Sequence, residues 1–461
     1  MNNKIITPGV NEVPSKKDKI QADVWLRLLL ILLFLMPVAV LFFLPGGGLL
    51  AGGFWFWMLM LLCFWALLMM LGSPMEKTEG ARVAKPRLLP DEEQPELIRD
   101  VMEVEAASEQ GDVKVFRGRL RESASSAYEK LKRAFSGQTV PLVQEDGQHG
   151  AAIMLMPKPV EQATLERPVQ PWVNWLLFAL TALTTTWAGA AHQGVNLLRE
   201  PERFGVGLPY SLGLLAILGV HELGHYFTAR RHGMRVTPPY FIPVPFALGT
   251  FGAFIQLRSP SENRRALFDV AVAGPLAGLV IAIPALLVGL QSSAVIPGNV
   301  AASPTAVGGT SVGSSLLFAL LSKLSLGEAL DYGHVLRLSP LAFAGWLGLF
   351  VTALNLLPIG QLDGGHIANA MFGRRIGNTV STVAMWSLLL LAIFVWPGLL
   401  MWAIIVFFIA GASSIPPLND LTPLTPGRRW LGYATFVILG LIVAPLPHSL
   451  WPGVGIHCPY L

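Results

Sequence analysis

Charge is scarce in this sequence: Asp, Glu, Lys and Arg make up 13% of the 461 residues, against 53% hydrophobic ones, and the mean hydropathy is +0.54. Soluble globular chains carry about 25% charged residues, so this composition excludes an ordinary water-soluble core and points to a polytopic membrane protein. Cysteine is nearly absent. Cys63 and Cys458 lie at opposite ends of the chain, which excludes a disulfide framework and a cysteine-type zinc site. The 33 basic and 29 acidic residues almost cancel and form no basic stripe, so nucleic acid is not an expected partner.

What the chain does have is long apolar runs. Residues 1–23 are polar and lysine-bearing and read as a cytoplasmic tail; residues 24–72 read as a transmembrane helical hairpin, with runs at 24–44 and 49–71 joined at Pro45-Gly46-Gly47-Gly48. Residues 73–170 are the one long polar stretch. They start as a charged, proline-rich linker at 76–94 and continue as strand 113–120, helix 124–135, strand 140–144 and strand 151–156, a small soluble α/β domain. His149 stands in its glycine-rich turn and reads as a solvated hairpin residue.

Residues 171–411 form the membrane core, with spans expected at 172–191, 208–230, 266–290, 341–357, 380–396 and 398–411. Residues 412–461 are a linker and a last span at 430–446. Pro397 either separates two spans or kinks one, so the expected fold is an all-α polytopic membrane protein with about eight to nine transmembrane helices. If every span crosses, Lys16, Lys17, Lys19, Arg230, Arg231, Arg235, Arg374, Arg375, Arg428 and Arg429 share one face with the basic residues of 77–87 and 258–265, whereas 291–310 carry no charge. The positive-inside rule makes the basic face cytoplasmic.

Within the 208–230 span stands His221-Glu222-Leu-Gly-His225. Histidines four residues apart on a helix project from one face and can share a zinc ion, and Glu222 between them is close enough to take a proton from an attacking water. Ionisable side chains inside a bilayer are costly and mark function. A site with three protein ligands needs one more donor. Position 228 is Thr and position 231 is Arg, so no extended local motif supplies it. Glu262 and Asp269 sit among arginines and read as interfacial, and Asp331 lies on the opposite face. Asp363 is the best placed, in Asn355-Leu-Leu-Pro358-Ile-Gly-Gln-Leu-Asp363-Gly364-Gly365-His366, a break whose irregular backbone is tolerated at membrane depth only where it lines a polar cavity. Asp363 as a mere helix cap and His366 as the rival ligand stay open. After the motif helix, 239–257 combine prolines, aromatic residues and a turn expected at Gly249 to Gly252, the pattern of a membrane-embedded β-hairpin.

At these motifs the sequence resembles the site-2 protease family of intramembrane zinc metalloproteases. The similarity covers about residues 171–411, with His221-Glu222-Leu-Gly-His225, Ala273-Gly274-Pro275 and the Asn355 to Gly364 segment in the family's order. It implies one Zn²⁺ per chain held by His221, His225 and Asp363, with Glu222 as the catalytic base and Asn355 as a polar contact to substrate backbone. It also implies cleavage of the transmembrane segment of a single-pass membrane-anchored substrate. The fused soluble domain, and Gly278 where many members carry Asn, resemble the cyanobacterial and plastid branch, hence a bacterial inner or thylakoid membrane. Residues 291–339 are too few for the PDZ domain that some members insert. Two other classes are weighed. A membrane metal transporter would want ligands on several facing spans, and an inactive scaffold would tolerate loss of Glu222, which is present.

Overall fold

The computed structural model describes residues 87–90, 95–135, 137, 139–157, 171–245, 248–297, 315–327, 334–394, 403, 406–407 and 416–444. The expected hairpin at 24–72 and nearly all of the span at 398–411 lie outside these residues. The described part is mostly helical, with small sheets.

The polar stretch folds into an antiparallel sheet. It contains β1 (Arg87–Leu88), helix α1 (Glu96–Val101), β2 (Met102–Gln110), β3 (Val113–Leu120), helix α2 (Ala124–Ala134), β4 (Thr139–Asp146) and β5 (Gly150–Pro157), in the sheet order β1-β2-β3-β5-β4. Alternation puts Ala151, Ile153 and Leu155 on one face of β5, where they pack with Phe116, Ile98, Met102 and Leu131. Ser123 caps α2, its hydroxyl accepting from the Ser126 amide. Strands β3, β4 and β5 and helix α2 match the sequence expectation to within a few residues. Strand β2 and helix α1 were not expected: Glu103, Glu105, Glu109 and Gln110 weaken the apolar pattern of the strand, and a bulge between Val104 and Ala106 interrupts its alternation.

This sheet does not end at β4. Backbone at residues 417–420 runs beside it: the Val143 amide donates to the Leu418 carbonyl at 2.8 Å, and the Asp420 amide donates back to the Val143 carbonyl at 2.8 Å. The same segment pairs on its other side with the start of a core helix, through Leu418 N–H to Ser261 O and Asn419 N–H to Glu262 O, both 2.9 Å. Arg264 Nε adds a 2.8 Å contact to Asp420, and Lys132 of α2 pairs with Glu262. That carboxylate holds the Lys132 ammonium above its ordinary pKa. An edge strand that would otherwise expose unpaired amides is thereby covered.

The core contains α3 (Pro171–His192), a 3₁₀ turn (Pro201–Gly207), α4 (Leu208–Arg231), β6 (Tyr240–Pro243), β7 (Thr250–Phe254) and α5 (Arg264–Gln291). It continues with β8 (Ala294–Pro297), α6 (Leu316–Leu326), β9 (His334–Arg337), α7 (Pro340–Leu356), α8 (Asp363–Phe372), α9 (Arg374–Phe394) and α10 (Pro426–Val443). Among the described residues, three stretches, Pro201–Arg231, Arg264–Gln291 and Arg374–Phe394, are long and apolar enough to cross a membrane; Leu316–Leu326 and Pro340–Leu356 are shorter apolar helices. Helix α6 has no counterpart among the expected spans. Helices α4, α5 and α7 pack on one another through small residues: a Cβ on Gly224 would meet the Ala273 carbonyl at 2.6 Å, and one on Gly345 would meet the Leu286 amide at 2.6 Å. Such contact between backbones is how helices associate where burial from water gives no drive.

Strands β6 and β7 pair antiparallel, Tyr240 opposite Phe254 and Phe241 opposite Ala253. The ladder continues outward through Thr237 N–H to Gln256 O at 3.0 Å and Arg258 N–H to Arg235 O at 2.8 Å. The sequence placed the turn at Gly249 to Gly252, but the Val244 amide closes on the Gly249 carbonyl at 3.1 Å and Gly252 lies within β7. The prolines at 243 and 245 end β6 early, which moves the turn back. The hairpin is tied to α3 and α4 by Asn174 Nδ2 to Pro239 O at 2.8 Å, Thr184 Oγ1 to Gly249 O at 2.7 Å and Tyr210 Oη to Leu248 O at 2.9 Å.

Candidate metal centre

Helix α4 carries His221, Glu222 and His225, which are 4%, 7% and 7% exposed. The i, i+4 spacing stacks the two imidazoles on the face that meets α5, with their Nε2 atoms 3.1 Å apart. Helix α5 makes room for them. A Cβ on Gly274 would overlap the His225 ring, and one on Gly278 would press on His221 Nδ1 at 3.2 Å. Between these glycines and Pro275, the α5 surface is a flat seat for two rings. His225 Nδ1 donates to the Val270 carbonyl at 2.7 Å, which fixes the tautomer and turns the Nε2 lone pair toward the other donors.

Asp363 arrives from the far side of the core. Helix α7 stops at Leu356, ahead of Pro358, because a proline cannot continue the helix and restricts the residue before it. The freed backbone groups are then taken up locally: Leu362 N–H donates to Ile359 O at 3.0 Å and Gly360 N–H donates to Ser381 Oγ at 2.6 Å. Gly360 adopts φ +47°, where glycine is the residue without strain. Helix α8 then starts at Asp363, whose Oδ2 lies 3.2 Å from His225 Nε2 and 3.5 Å from His221 Nε2.

Among the described residues, His221, His225 and Asp363 are the set of three metal-ligating side chains that gathers its donor atoms within 4.8 Å. The fit to one ion can be tested on these distances. A tetrahedral zinc with bonds of about 2.0–2.1 Å places its ligand atoms about 3.3 Å apart, and the three observed separations are 3.1, 3.2 and 3.5 Å. Two neutral imidazoles and one carboxylate are also the donor types that this ion takes with a fourth position left open. The set could hold one metal ion.

Glu222 is not in that set. The backbone N–H of Ile255, the residue that follows β7, faces its carboxylate. Asn355, on the last turn of α7, has its Nδ2 3.3 Å from His221 Nε2. His366 lies one turn along α8 from Asp363 and stands apart from the donor cluster, its Nδ1 buried without a hydrogen-bond partner among the described residues. Glu262 and Asp269 are likewise elsewhere, engaged with Lys132 and with Arg428 and His232. The seat on α5 and the Ile255 contact are what a linear reading misses. The Ala273-Gly274-Pro275 signal is visible in the sequence, but what the glycines face depends on which helices pair.

A His-Glu-x-x-His helix and an aspartate from a broken apolar segment, among helices long and apolar enough to cross a membrane, make a candidate metal centre of the metallopeptidase type. Comparison with known proteins points to a family. Residues 209–395 match Peptidase family M50, the site-2 proteases, so this segment is a domain of that kind. The probable zinc metalloprotease EGY2 of Oryza sativa subsp. indica, a chloroplastic protein, is 30% identical over 362 residues, 73% of this chain and 62% of its own length. The probable zinc metalloprotease EGY1 of Arabidopsis thaliana, also chloroplastic, is 29% identical over 380 residues, 75% of this chain and 68% of its own. EGY1 of Oryza sativa subsp. japonica reaches 34% over 251 residues, 54% of this chain and 42% of its own. The chain spans about three fifths of the length of the EGY2 relatives it matches. These relatives are plastid proteins, and the bacterial source expected from the sequence has no support among them.

Proposed function

We propose that this protein is an intramembrane zinc endopeptidase that cuts the transmembrane segment of single-pass, membrane-anchored proteins. The observation that carries this reading is the convergence of His221, His225 and Asp363, from helices far apart in sequence, beside a buried Glu222 that ligates nothing. His221, His225 and Asp363 hold one Zn²⁺ per chain. The bound ion supplies Lewis acidity, which polarises the scissile carbonyl and acidifies water. Glu222 takes the proton from the attacking water and passes it to the leaving amine. Asn355, on the same side as His221, donates to the substrate backbone or to the oxygen on which charge develops.

A transmembrane helix keeps its peptide groups in internal hydrogen bonds, and opening one in lipid leaves polar groups unsatisfied at several kcal/mol. The hairpin of β6 and β7 dips into the membrane beside the metal, and an unwound substrate pairs with its edge as an added strand. Read from the apolar runs of the sequence, with the runs in 24–72 and the last one at 430–446 added to those of the core, the chain crosses eight or nine times. The arginine-rich face lies on the cytoplasmic side of a bacterial membrane, or on the equivalent stromal side in a plastid, and the soluble domain of 73–170 projects there. Metal transport is disfavoured because the described residues gather a single donor set.

The test separates ligand from base. Glu222→Gln should retain one zinc per chain and lose turnover about 10²- to 10⁴-fold, while His225→Ala and Asp363→Ala should lose both metal and cleavage. If Asp363→Ala keeps full zinc and His366→Ala does not, the third ligand is His366.

A further inference from the structure

Beyond the metal and its ligands lies a second polar cluster, at the end of α4 that carries Arg230 and Arg231. Asp269, on the second turn of α5, receives Arg428 in a two-pronged contact, Nε to Oδ1 and Nη2 to Oδ2, both at 2.7 Å. His232, the residue that ends α4, brings its Nε2 to within 3.0 Å of Asp269 Oδ2. Arg428 is itself steadied by Thr425 Oγ1 at 3.3 Å. One carboxylate thus joins the end of the motif helix, α5 and the first turn of α10. Arg428 stands outside the matched family segment of 209–395.

The residue after Asp269 is Val270, whose carbonyl accepts from His225 Nδ1. The imidazole is therefore aimed by a backbone atom whose position depends on how α5 sits against α4, and the Asp269 cluster sets that relation one residue away. We infer that Arg428 and Asp269, with His232, are positioning residues for the metal centre: they hold Val270 in register with His225, so that the last helix takes part in metal affinity. A planar guanidinium gripping both carboxylate oxygens fixes orientation as well as distance, which an ordinary packing contact would not. Partners that fix the far nitrogen of a ligating histidine typically change metal affinity 10- to 100-fold when removed.

This inference rests on the proposed zinc site, and the experiment keeps the two apart. The full-length protein in detergent is compared as wild type, Arg428→Gln, Asp269→Asn and Arg264→Gln. The last variant breaks the Arg264–Asp420 pair, which also ties α5 to the segment before α10 but is not next to Val270. Zinc dissociation is measured by chelator competition, and the visible absorption of the Co²⁺-loaded protein reports ligand geometry. Arg428→Gln and Asp269→Asn should each weaken zinc binding about tenfold or more and shift the Co²⁺ band, while Arg264→Gln leaves both at the wild-type values. If Arg428→Gln does not fold, the isosteric Asp269→Asn decides on the same two measurements. Wild-type affinity and spectrum in the cluster variants, or an equal change in Arg264→Gln, would overturn the inference. A wild-type chain that binds no zinc would instead refute the proposed function.

Discussion

At the scale of the residue, the metal centre depends as much on side chains that are missing as on those present. Gly274 lies inside a long helix, where Ala would ordinarily stabilise by about 1 kcal/mol. Here its Cβ would occupy the space of the His225 ring. Gly274→Ala should therefore act against propensity, weakening zinc binding at least about tenfold with helix content unchanged; zinc content after dialysis against a chelator checks it, and full retention would show that the ring can move aside. Gly278→Ala, with a Cβ 3.2 Å from His221 Nδ1, should have a smaller effect in the same direction. The two histidines and Glu222 were legible because their geometry is local to one helix. Asp363 was legible as a polar residue at a proline- and glycine-made break in an apolar run. The Val270 carbonyl and the Asp269 cluster were not, since a main-chain acceptor has no signature and Asp269 among arginines reads as an ordinary interfacial charge.

At the scale of the element, the hairpin of β6 and β7 links substrate handling to the base. The Ile255 amide that faces Glu222 directly follows the strand at whose edge we place the substrate. Ile255→Pro removes that donor and breaks the edge without touching a metal ligand. It should lower cleavage several-fold, while zinc stoichiometry stays at the wild-type level. On the substrate side, segments with Gly, Asn or Pro in the half nearest the arginine-rich face should be cut faster than a uniformly Leu-rich segment. Equal rates for the two, measured on the same enzyme, would remove the strand-addition step. The hairpin was readable from its prolines, aromatics and glycines. Its turn was misplaced because both glycine positions allow one, and the choice is made by tertiary ties from Thr184 and Tyr210.

At the scale of the whole molecule, the five-stranded sheet is joined to the core by backbone pairing on both sides of residues 417–420, contacts that bridge well over a hundred positions in sequence. No periodicity announces such a strand, which is why the segment read only as linker. The distribution of arginine and lysine leads to a direct prediction of topology: reporters fused after Gly150 and after Arg375 should share one side, and reporters near Val300 and at Leu461 should report the other. A reporter at Val300 on the same side as Gly150 would break the crossing scheme. The central claim, that a zinc held by two α4 histidines and Asp363 serves peptide-bond cleavage within a membrane segment, is tested most directly by one comparison. Purified wild type and Glu222→Gln, each assayed for zinc, are incubated with a detergent-solubilised single-span peptide, and the products are mapped by mass. The account predicts one zinc per chain in both proteins and a cut inside the apolar segment by the wild type alone. Cleavage by Glu222→Gln at the wild-type rate, or no cleavage by a fully zinc-loaded wild type, would contradict it.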